Sequence, residues 1–200
     1  MAEERKRTGE EERTTAETSV EAQVCIDGEG EADVDTGLGF LDHMLELLAK
    51  HAKFDLYCRA EGDLHVDGHH TTEDVGIVLG TALRRALGDK KGIRRFGDAD
   101  IPMAEALASV AVDIDGRNYL SYSVEFENSS TGDFDVELIH EFFQAFCRCA
   151  DLTLHIDVVR GSNSHHISEA IFKGLARTLR EATSIDPRSP DEVPSTKGTL

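Results

Sequence analysis

The sequence contains no tryptophan, and among its 200 residues it has only four prolines and four cysteines. No two cysteines form a Cys-x-x-Cys pair, and Cys147 and Cys149 lie too close for an easy disulfide, so a cytoplasmic protein with reduced thiols is expected. No apolar run approaches the roughly 18 residues of a membrane span. No apolar segment follows the basic residues 5–7 either, so neither a membrane protein nor a signal peptide is predicted.

Basic residues are also scarce. The 21 Lys and Arg stand against 39 Asp and Glu, which gives a formal net charge of -18. Such a chain repels nucleic acid and anionic membranes unless a local basic site overrides the field. What the chain has in abundance is histidine, with nine residues, and histidine is the commonest metal ligand among side chains. The composition therefore favours a protein that binds cations.

The chain carries an internal repeat. A His-His-x-x-Glu pattern at residues 69–73 recurs at residues 165–169, and apolar residues at helical spacing follow both copies. The sequence predicts two α+β half-domains over residues 13–107 and 108–200, which form one compact unit after a disordered acidic extension at residues 1–12. In the second half, alternating residues over 108–115 and 118–126 predict a hairpin that turns at Asp115-Gly116.

The repeated pattern has the geometry of a metal site. Each copy places a histidine and a glutamate four positions apart at a predicted helix start, where i and i+4 share one face. The second histidine points roughly a quarter-turn away, so each copy offers ligands to two different ions. Two imidazoles and a carboxylate suit Mn, Fe or Zn. The candidate ligands are His69, His70, Glu73, His165, His166 and Glu169.

Further histidines extend this set. His43 precedes an apolar helix, and Asp42 beside it could orient its imidazole. His140 and Glu141 occupy the pseudo-equivalent place in the second half. An isolated His-His pair is more often solvent-facing or helix-capping, but the duplication of the whole pattern favours metal ligation.

Candidate anion-binding residues are few and local. The densest basic run covers residues 90–95, Arg117 follows a turn at Gly116, and the Ser195-Thr196-Lys197-Gly198 segment could wrap a phosphate with hydroxyls and an ammonium. Each of these alone is also typical of a solvated surface patch.

With these motifs in order, the chain from about residue 13 to residue 200 resembles the imidazoleglycerol-phosphate dehydratases of histidine biosynthesis. The motifs that carry the resemblance are Arg13-Thr14-Thr15-Ala16-Glu17-Thr18, Gly39-Phe40-Leu41-Asp42-His43-Met44, Gly62-Asp63-Leu64, His69-His70-Thr71-Thr72-Glu73-Asp74, Arg95-Phe96-Gly97, Pro102-Met103, Asp115-Gly116-Arg117, His165-His166 with Glu169, and Pro194-Ser195-Thr196-Lys197-Gly198.

The resemblance implies a fold and an assembly. The expected fold is α+β, an internally duplicated pair of half-domains of the ribosomal protein S5 domain 2-like type, each a mixed sheet backed by two helices, with the helices packed between the sheets. The expected assembly is a homo-oligomer of 24 subunits built from trimers, with active sites at subunit interfaces.

The resemblance also implies two Mn(II) ions per active site. Its metal ligands fall on His43, His69, His70, Glu73, His165, His166 and Glu169. The family commonly has histidine directly before a Phe-Phe pair, where this chain has Glu141, so either His140 or Glu141 completes the set. The residues expected to contact substrate are Glu17, His43, His69, Glu73, Arg95, Arg117, His165, Ser195, Thr196 and Lys197.

The implied reaction removes water from D-erythro-imidazole glycerol phosphate and gives imidazole acetol phosphate. The hypothesis is that Mn(II) on both ring nitrogens favours the imidazolate, from which hydroxyl leaves to give a diazafulvene-like intermediate. Glu17 is the favoured acid/base, and Glu73 is the other candidate carboxylate. Two alternatives stay open: a His-rich metal storage or sensing oligomer without catalysis, and an oligomeric scaffold that histidines hold together.

Overall fold

The computed structural model describes residues 6–200, in which ten strands and four helices form two similar halves. The first half contains β1 (Thr8–Thr14), β2 (Thr18–Cys25), β3 (Ala32–Asp35), α1 (Gly39–Ala52), β4 (Asp55–Gly62) and α2 (His69–Leu87). The second contains β5 (Phe96–Met103), β6 (Ala106–Asp113), β7 (Tyr119–Ser123), the two short strands β8 (Ser130–Thr131) and β9 (Phe134–Asp135), α3 (Leu138–Ala150), β10 (Thr153–Arg160) and α4 (Ser164–Ala182).

The two main sheets have the same topology, which confirms the predicted duplication. The first sheet has the order β1-β2-β4-β3 and the second β5-β6-β10-β7. In each sheet the first two pairings are antiparallel and the last is parallel. The predicted α+β fold, with two mixed sheets each backed by helices, is therefore confirmed.

The helices lie between the sheets. α2 packs on β1 and β2, α4 packs on β5 and β6, and the layers meet through the pairs α2–α3 and α1–α4. Two glycines show how close this packing is. A Cβ on Gly9 of β1 would lie 2.0 Å from the carbonyl oxygen of Ala82, and one on Gly97 of β5 would lie 2.3 Å from that of Thr178.

Sequence periodicity explains which faces are buried. In β2, Val20, Ala22 and Val24 face the helices while the residues between them are exposed. In the helices the apolar stripe recurs every three or four residues, so that Leu45 and Leu79, for example, are fully enclosed. One continuous core spans both halves.

The four helix N-termini gather at one end of the molecule. Gly68, just before α2, lies against Leu138 at the start of α3 and against Leu38 just before α1. The rings of His43 in α1 and His165 in α4 have centroids 5.8 Å apart. Since the predicted ligands lie in the first two turns of these helices, the fold collects them at this end.

Three predictions about the chain's organisation are wrong. Residues 8–12 are not a disordered extension but part of β1, which pairs with β2 along its whole length; residues 1–5 lie outside the described part. The halves divide before β5 at Phe96 rather than at residue 107, because β5 belongs to the second sheet. The hairpin at Asp115-Gly116 does not form, because β10 inserts between β6 and β7.

Candidate metal and substrate site

Three predicted ligands meet where α1 and α4 begin. Nε2 of His43 and Nε2 of His165 each lie 3.1 Å from Oε1 of Glu169. The ligand atoms of the three residues all lie within 4.8 Å of one another, and within residues 6–200 this is the one group of three or more His, Cys, Asp or Glu that meets that spacing. One divalent cation can reach all three at this spacing.

Glu169 is held ionised at this point. Burial opposes its ionisation, but hydrogen bonds from Lys173, His43 and His165 outweigh burial and lower the pKa of Glu169 to about 2. The closest of these partners is Lys173, whose Nζ donates to Oε2 at 2.5 Å. Oε1 therefore stays a carboxylate oxygen that faces two imidazoles.

The second histidine of each pair is oriented by a carboxylate. Nδ1 of His70 lies 3.0 Å from Asp63, and Nδ1 of His166 lies 2.8 Å from Glu105. Within residues 6–200, Nε2 of neither ring forms a hydrogen bond. A carboxylate on one ring nitrogen, with the other nitrogen available, is how metal-ligating histidines are usually fixed.

These carboxylates and rings also influence each other's ionisation. The hydrogen bond to Asp63, together with the Glu17 carboxylate, raises the pKa of His70. The backbone N–H of Asn163 and the His166 ring lower the pKa of Glu105 to about 2. Asn163 also caps α4, because its side chain accepts the N–H groups of His165 and His166.

Other predicted ligands lie apart from the three-residue cluster. Glu73 accepts a hydrogen bond from Arg148 at 3.3 Å, and the His69 ring packs edge-on against that of His70. Nδ1 of His140 lies 3.4 Å from Oε1 of Glu141, and the His140 ring lies edge-on to that of Tyr122.

Glu17 lies beside one of the histidine pairs. Its Oε2 is 4.0 Å from Nδ1 of His70. Its side chain is 56% exposed and Glu73 is engaged with Arg148, so Glu17 is the freer of the two candidate acid/base carboxylates. Proton transfer needs such a carboxylate within reach of the reacting end of a bound substrate.

Asp42 does not orient His43 as predicted. It accepts hydrogen bonds from the N–H and the hydroxyl of Thr36, which fixes the chain as it enters α1. The His43 ring is instead placed by Glu169. Asp42 was the predicted partner because it is next to His43 in the sequence, whereas the observed partner, Glu169, belongs to α4.

An open cleft of about 530 Å³ adjoins the cluster, with His43 and His165 in its lining. Phe40 and Phe134 also line it, with ring centroids 5.3 Å apart, and the Phe40 ring lies edge-on to that of His165. A groove of about 510 Å³ on the outer face of the first sheet has a lining dominated by glutamates, including Glu10, Glu12 and Glu21. Because that groove would repel an anionic ligand, the cleft beside the histidines is the better candidate site.

The predicted phosphate-binding residues lie together at another place. Arg95 donates to Asp113 through Nε at 2.6 Å and Nη2 at 3.0 Å, and to the carbonyl oxygen of Pro194 through Nη1 at 3.0 Å. Arg117 lies four residues after Asp113, the last residue of β6, and its side chain is 73% exposed. The C-terminal tail closes this region, since Leu200 packs on Gly116.

The turn predicted to bind the phosphate is formed by the C-terminal tail. The Lys197 N–H donates to the Ser195 hydroxyl at 3.2 Å, with Thr196 between them. Arg95 has a left-handed φ of 74°, a conformation that costs free energy for a non-glycine residue and is often kept at functional sites.

Within one chain, Arg95 of the predicted phosphate-binding set lies far from the three-residue cluster. The N–H of Arg95 donates to the carbonyl oxygen of Ala182 at the C-terminal end of α4, whereas His165 is in the first turn of α4. At 1.5 Å rise per residue the helix separates them by roughly 25 Å. A small phosphorylated ligand does not span that length.

The sequence-based prediction of the site missed three residues. Lys173 lies one turn after Glu169, but its counterpart in the first half is Ile77, so the repeat did not mark it. Asp63 lies in one of the motifs that carry the resemblance but has no predicted site role, and Glu105 lies in no motif; the two orient His70 and His166 from connecting segments. Helical i, i+4 spacing could have found Lys173 alone.

The chain was compared with known proteins. Residues 36–179 match the model of the family described as imidazoleglycerol-phosphate dehydratase. The chain is 58% identical over 188 residues to the imidazoleglycerol-phosphate dehydratase of Azorhizobium caulinodans, covering 94% of this chain and 95% of that protein. It is also 58% identical over 189 residues to that of Granulibacter bethesdensis, with 94% and 96% covered.

Solved structures agree. The crystal structure of imidazoleglycerol-phosphate dehydratase from Staphylococcus aureus superposes with a TM-score of 0.82 at 42% identity and covers 90% of this chain and 99% of that one. The structure from Pyrococcus furiosus gives 0.81 at 38% identity, with 95% and 100% covered. Within residues 6–200, the four helices are all too short or too polar to span a bilayer.

Proposed function

The chain belongs to the imidazoleglycerol-phosphate dehydratase family of hydro-lyases, and we propose that it dehydrates D-erythro-imidazole glycerol phosphate at a metal site that neighbouring copies of the chain complete. The observation that carries this proposal is the cluster of His43, His165 and Glu169 beside a cleft large enough for a small ligand. The product is imidazole acetol phosphate, and one water is released per turnover.

The residues fit the Mn(II) ions predicted from the sequence. Two imidazoles and one carboxylate, without a thiolate, form a donor set that hard and borderline divalent ions accept. Two ions per site would be held by His43, His165 and Glu169 together with His69, His70, Glu73, His166 and either His140 or Glu141. Bound ions would stabilise negative charge that develops on the substrate's imidazole ring.

Protons are moved by this chain's carboxylates. Glu17 is the proposed acid/base because its Oε2 lies 4.0 Å from Nδ1 of His70 and its side chain is 56% exposed. It would take the carbon-bound proton and give a proton to the departing hydroxyl, which leaves as water; the resulting enol tautomerises to the ketone product. Glu73, which accepts a hydrogen bond from Arg148, fits the role of a metal ligand that also contacts the substrate. The same role is proposed for His43, His69 and His165.

The phosphate would be held by Arg95, Arg117, Ser195, Thr196 and Lys197. Arg95 is roughly 25 Å from His165 of the same chain, measured along α4. A site that contains both sets therefore needs a second chain, which supports active sites at subunit interfaces. The assembly proposed from the family resemblance is a homo-oligomer of 24 subunits built from trimers. The four free cysteines accord with the proposed cytoplasmic location.

The direct test is dehydration of imidazole glycerol phosphate by protein stripped of metal, assayed with and without added Mn(II). Turnover that returns with Mn(II) is the expected result. Mn(II) binding without turnover would instead support the metal-storage alternative.

Sharing of the site is tested by mixing two variants, Glu169→Gln and Arg117→Ala, each impaired alone. If the metal and phosphate residues of one site come from different chains, random mixed assemblies regain up to about a quarter of wild-type activity. If both sets act within one chain, mixing restores nothing.

A further inference from the structure

The turn that carries Glu17 is fastened to α2 by a buried carboxylate, that of Asp74. Asp74 is 7% exposed and accepts hydrogen bonds from two residues that flank the turn between β1 and β2. Oδ1 lies 2.9 Å from Nε of Arg13, and Oδ2 accepts the hydroxyl of Thr18. Both donors sit within four residues of Glu17.

The turn between β1 and β2 is also held by hydrogen bonds within it. Thr15 accepts the N–H groups of Glu17 at 3.1 Å and of Thr18 at 3.0 Å through its hydroxyl, and its own N–H donates to the Thr18 carbonyl oxygen at 2.8 Å. The Glu17 carbonyl oxygen accepts the N–H of Asp63 at 3.1 Å. Once Asp74 fixes both ends of the turn, the Glu17 backbone has little freedom left.

Helix geometry links this anchor to the site. His70 and Asp74 are i and i+4 on α2, so they project from one face of the helix. The face that holds the turn through Asp74 thus also presents the His70 ring, and Glu17 arrives 4.0 Å from that ring. Asp63, which orients the His70 ring, is the residue whose N–H holds Glu17.

We propose that Asp74 is a positioning residue for Glu17: by holding Arg13 and Thr18 it sets the place of the Glu17 carboxylate relative to the metal-binding face of α2. This inference rests on the proposed acid/base role of Glu17. Asp74 is buried but the Arg13 side chain is 43% exposed, so this ion pair adds little net stability, whereas its directional hydrogen bonds fix the geometry of the turn. Asp74 itself contacts neither substrate nor metal in this role.

The test is a double-mutant cycle in the full-length protein. Asp74→Asn keeps the side-chain shape and removes the charge, and the expected result is a fall in kcat of about tenfold to a hundredfold with KM, Mn(II) content and assembly unchanged. In a Glu17→Gln background the same change should lower kcat no further, because Asp74 acts through Glu17. Asp27→Asn, which breaks the ion pair with Arg7, is the matched control and should leave kcat unchanged.

A second variant covers the case in which Asp74→Asn does not fold. Thr18→Val removes one donor at constant shape and should lower kcat less, and Thr18→Ser should restore it. Additive losses of kcat in the cycle, or Mn(II) lost together with kcat, would overturn the positioning role alone. Normal turnover by Glu17→Gln would overturn the acid/base role and the positioning role with it.

Discussion

Nε2 of His43 lies 3.1 Å from Oε1 of Glu169, although 126 positions separate the two residues in the chain. The contact joins α1 of the first half to α4 of the second, so residues of both halves form this cluster. Lys173 neutralises the other oxygen of the same carboxylate. Because the pKa of Glu169 is about 2, the carboxylate is ready for a cation without proton loss at neutral pH.

Glu169→Gln should lose metal. The amide keeps the size of the side chain but cannot supply an anionic oxygen, and it leaves Lys173 without its carboxylate partner. We expect Mn(II) content per chain to fall by at least half and turnover to fall by about a hundredfold or more. The measurements are metal analysis after gel filtration and a dehydration assay. Glu181→Gln, near the other end of the same helix, is the control, and an unchanged metal content in Glu169→Gln would contradict the ligand assignment.

His70→Ala and His166→Ala should lose metal and assembly together. Each ring is oriented through Nδ1 and leaves Nε2 available, and the cluster on α1 and α4 does not include either one. If these nitrogens bind ions shared with a neighbouring chain, their removal lowers the Mn(II) content and the particle mass seen by analytical ultracentrifugation. His155→Ala, on the exposed face of β10, should change neither. Full-size particles that retain all their metal would show that these histidines do not link subunits.

The duplication could be predicted from the sequence because the same residue types recur at the same spacing in both halves. The pattern at residues 69–73 and 165–169 marks two helix starts, and equal spacing implies equal topology. The observed sheets bear this out, since both follow the same strand order.

Non-local pairing could not be predicted in the same way. Asp115-Gly116 has the composition of a hairpin turn, but the neighbour of β6 is β10, which is about forty residues further along the chain. The partners of the histidines follow the same rule. Glu105 reaches His166 from a distant turn, and such contacts depend on the assembled sheet and not on local spacing.

Gly80→Ala should destabilise the protein although alanine is the better helix former. A Cβ at residue 80 would lie 2.5 Å from the carbonyl oxygen of Phe146 and 3.1 Å from the nitrogen of Ala150, so α2 and α3 would have to separate. We expect the free energy of unfolding to fall by about 1–3 kcal/mol. Urea titrations at fixed protein concentration measure it. Gly39→Ala, where an added Cβ meets nothing within 4 Å, is the control. Equal stability of both variants would mean that the two helices can separate at little cost.

Asp55 should stabilise the protein in a pH-dependent way. Its Oδ1 accepts the N–H groups of Glu29, Gly30 and Glu31 at 2.7, 3.1 and 3.2 Å. Burial alone would raise the pKa of Asp55, but these backbone hydrogen bonds outweigh it and hold that pKa below its usual value. A carboxyl whose folded pKa is depressed stabilises the fold fully above its unfolded pKa of about 3.9, and the stabilisation is lost as the pH falls through the folded pKa.

Asp55→Ala should therefore lower the free energy of unfolding by about 1–3 kcal/mol at pH 7, and the difference from wild type should shrink once the pH falls below about 4. Urea titrations between pH 7 and pH 3 measure both quantities. Asp98→Ala is the control, because Asp98 is exposed on β5 and forms no side-chain hydrogen bond within residues 6–200; its effect should stay within about 0.5 kcal/mol at every pH. A difference for Asp55→Ala that is as large at pH 3 as at pH 7 would show that the ionised carboxylate is not its source.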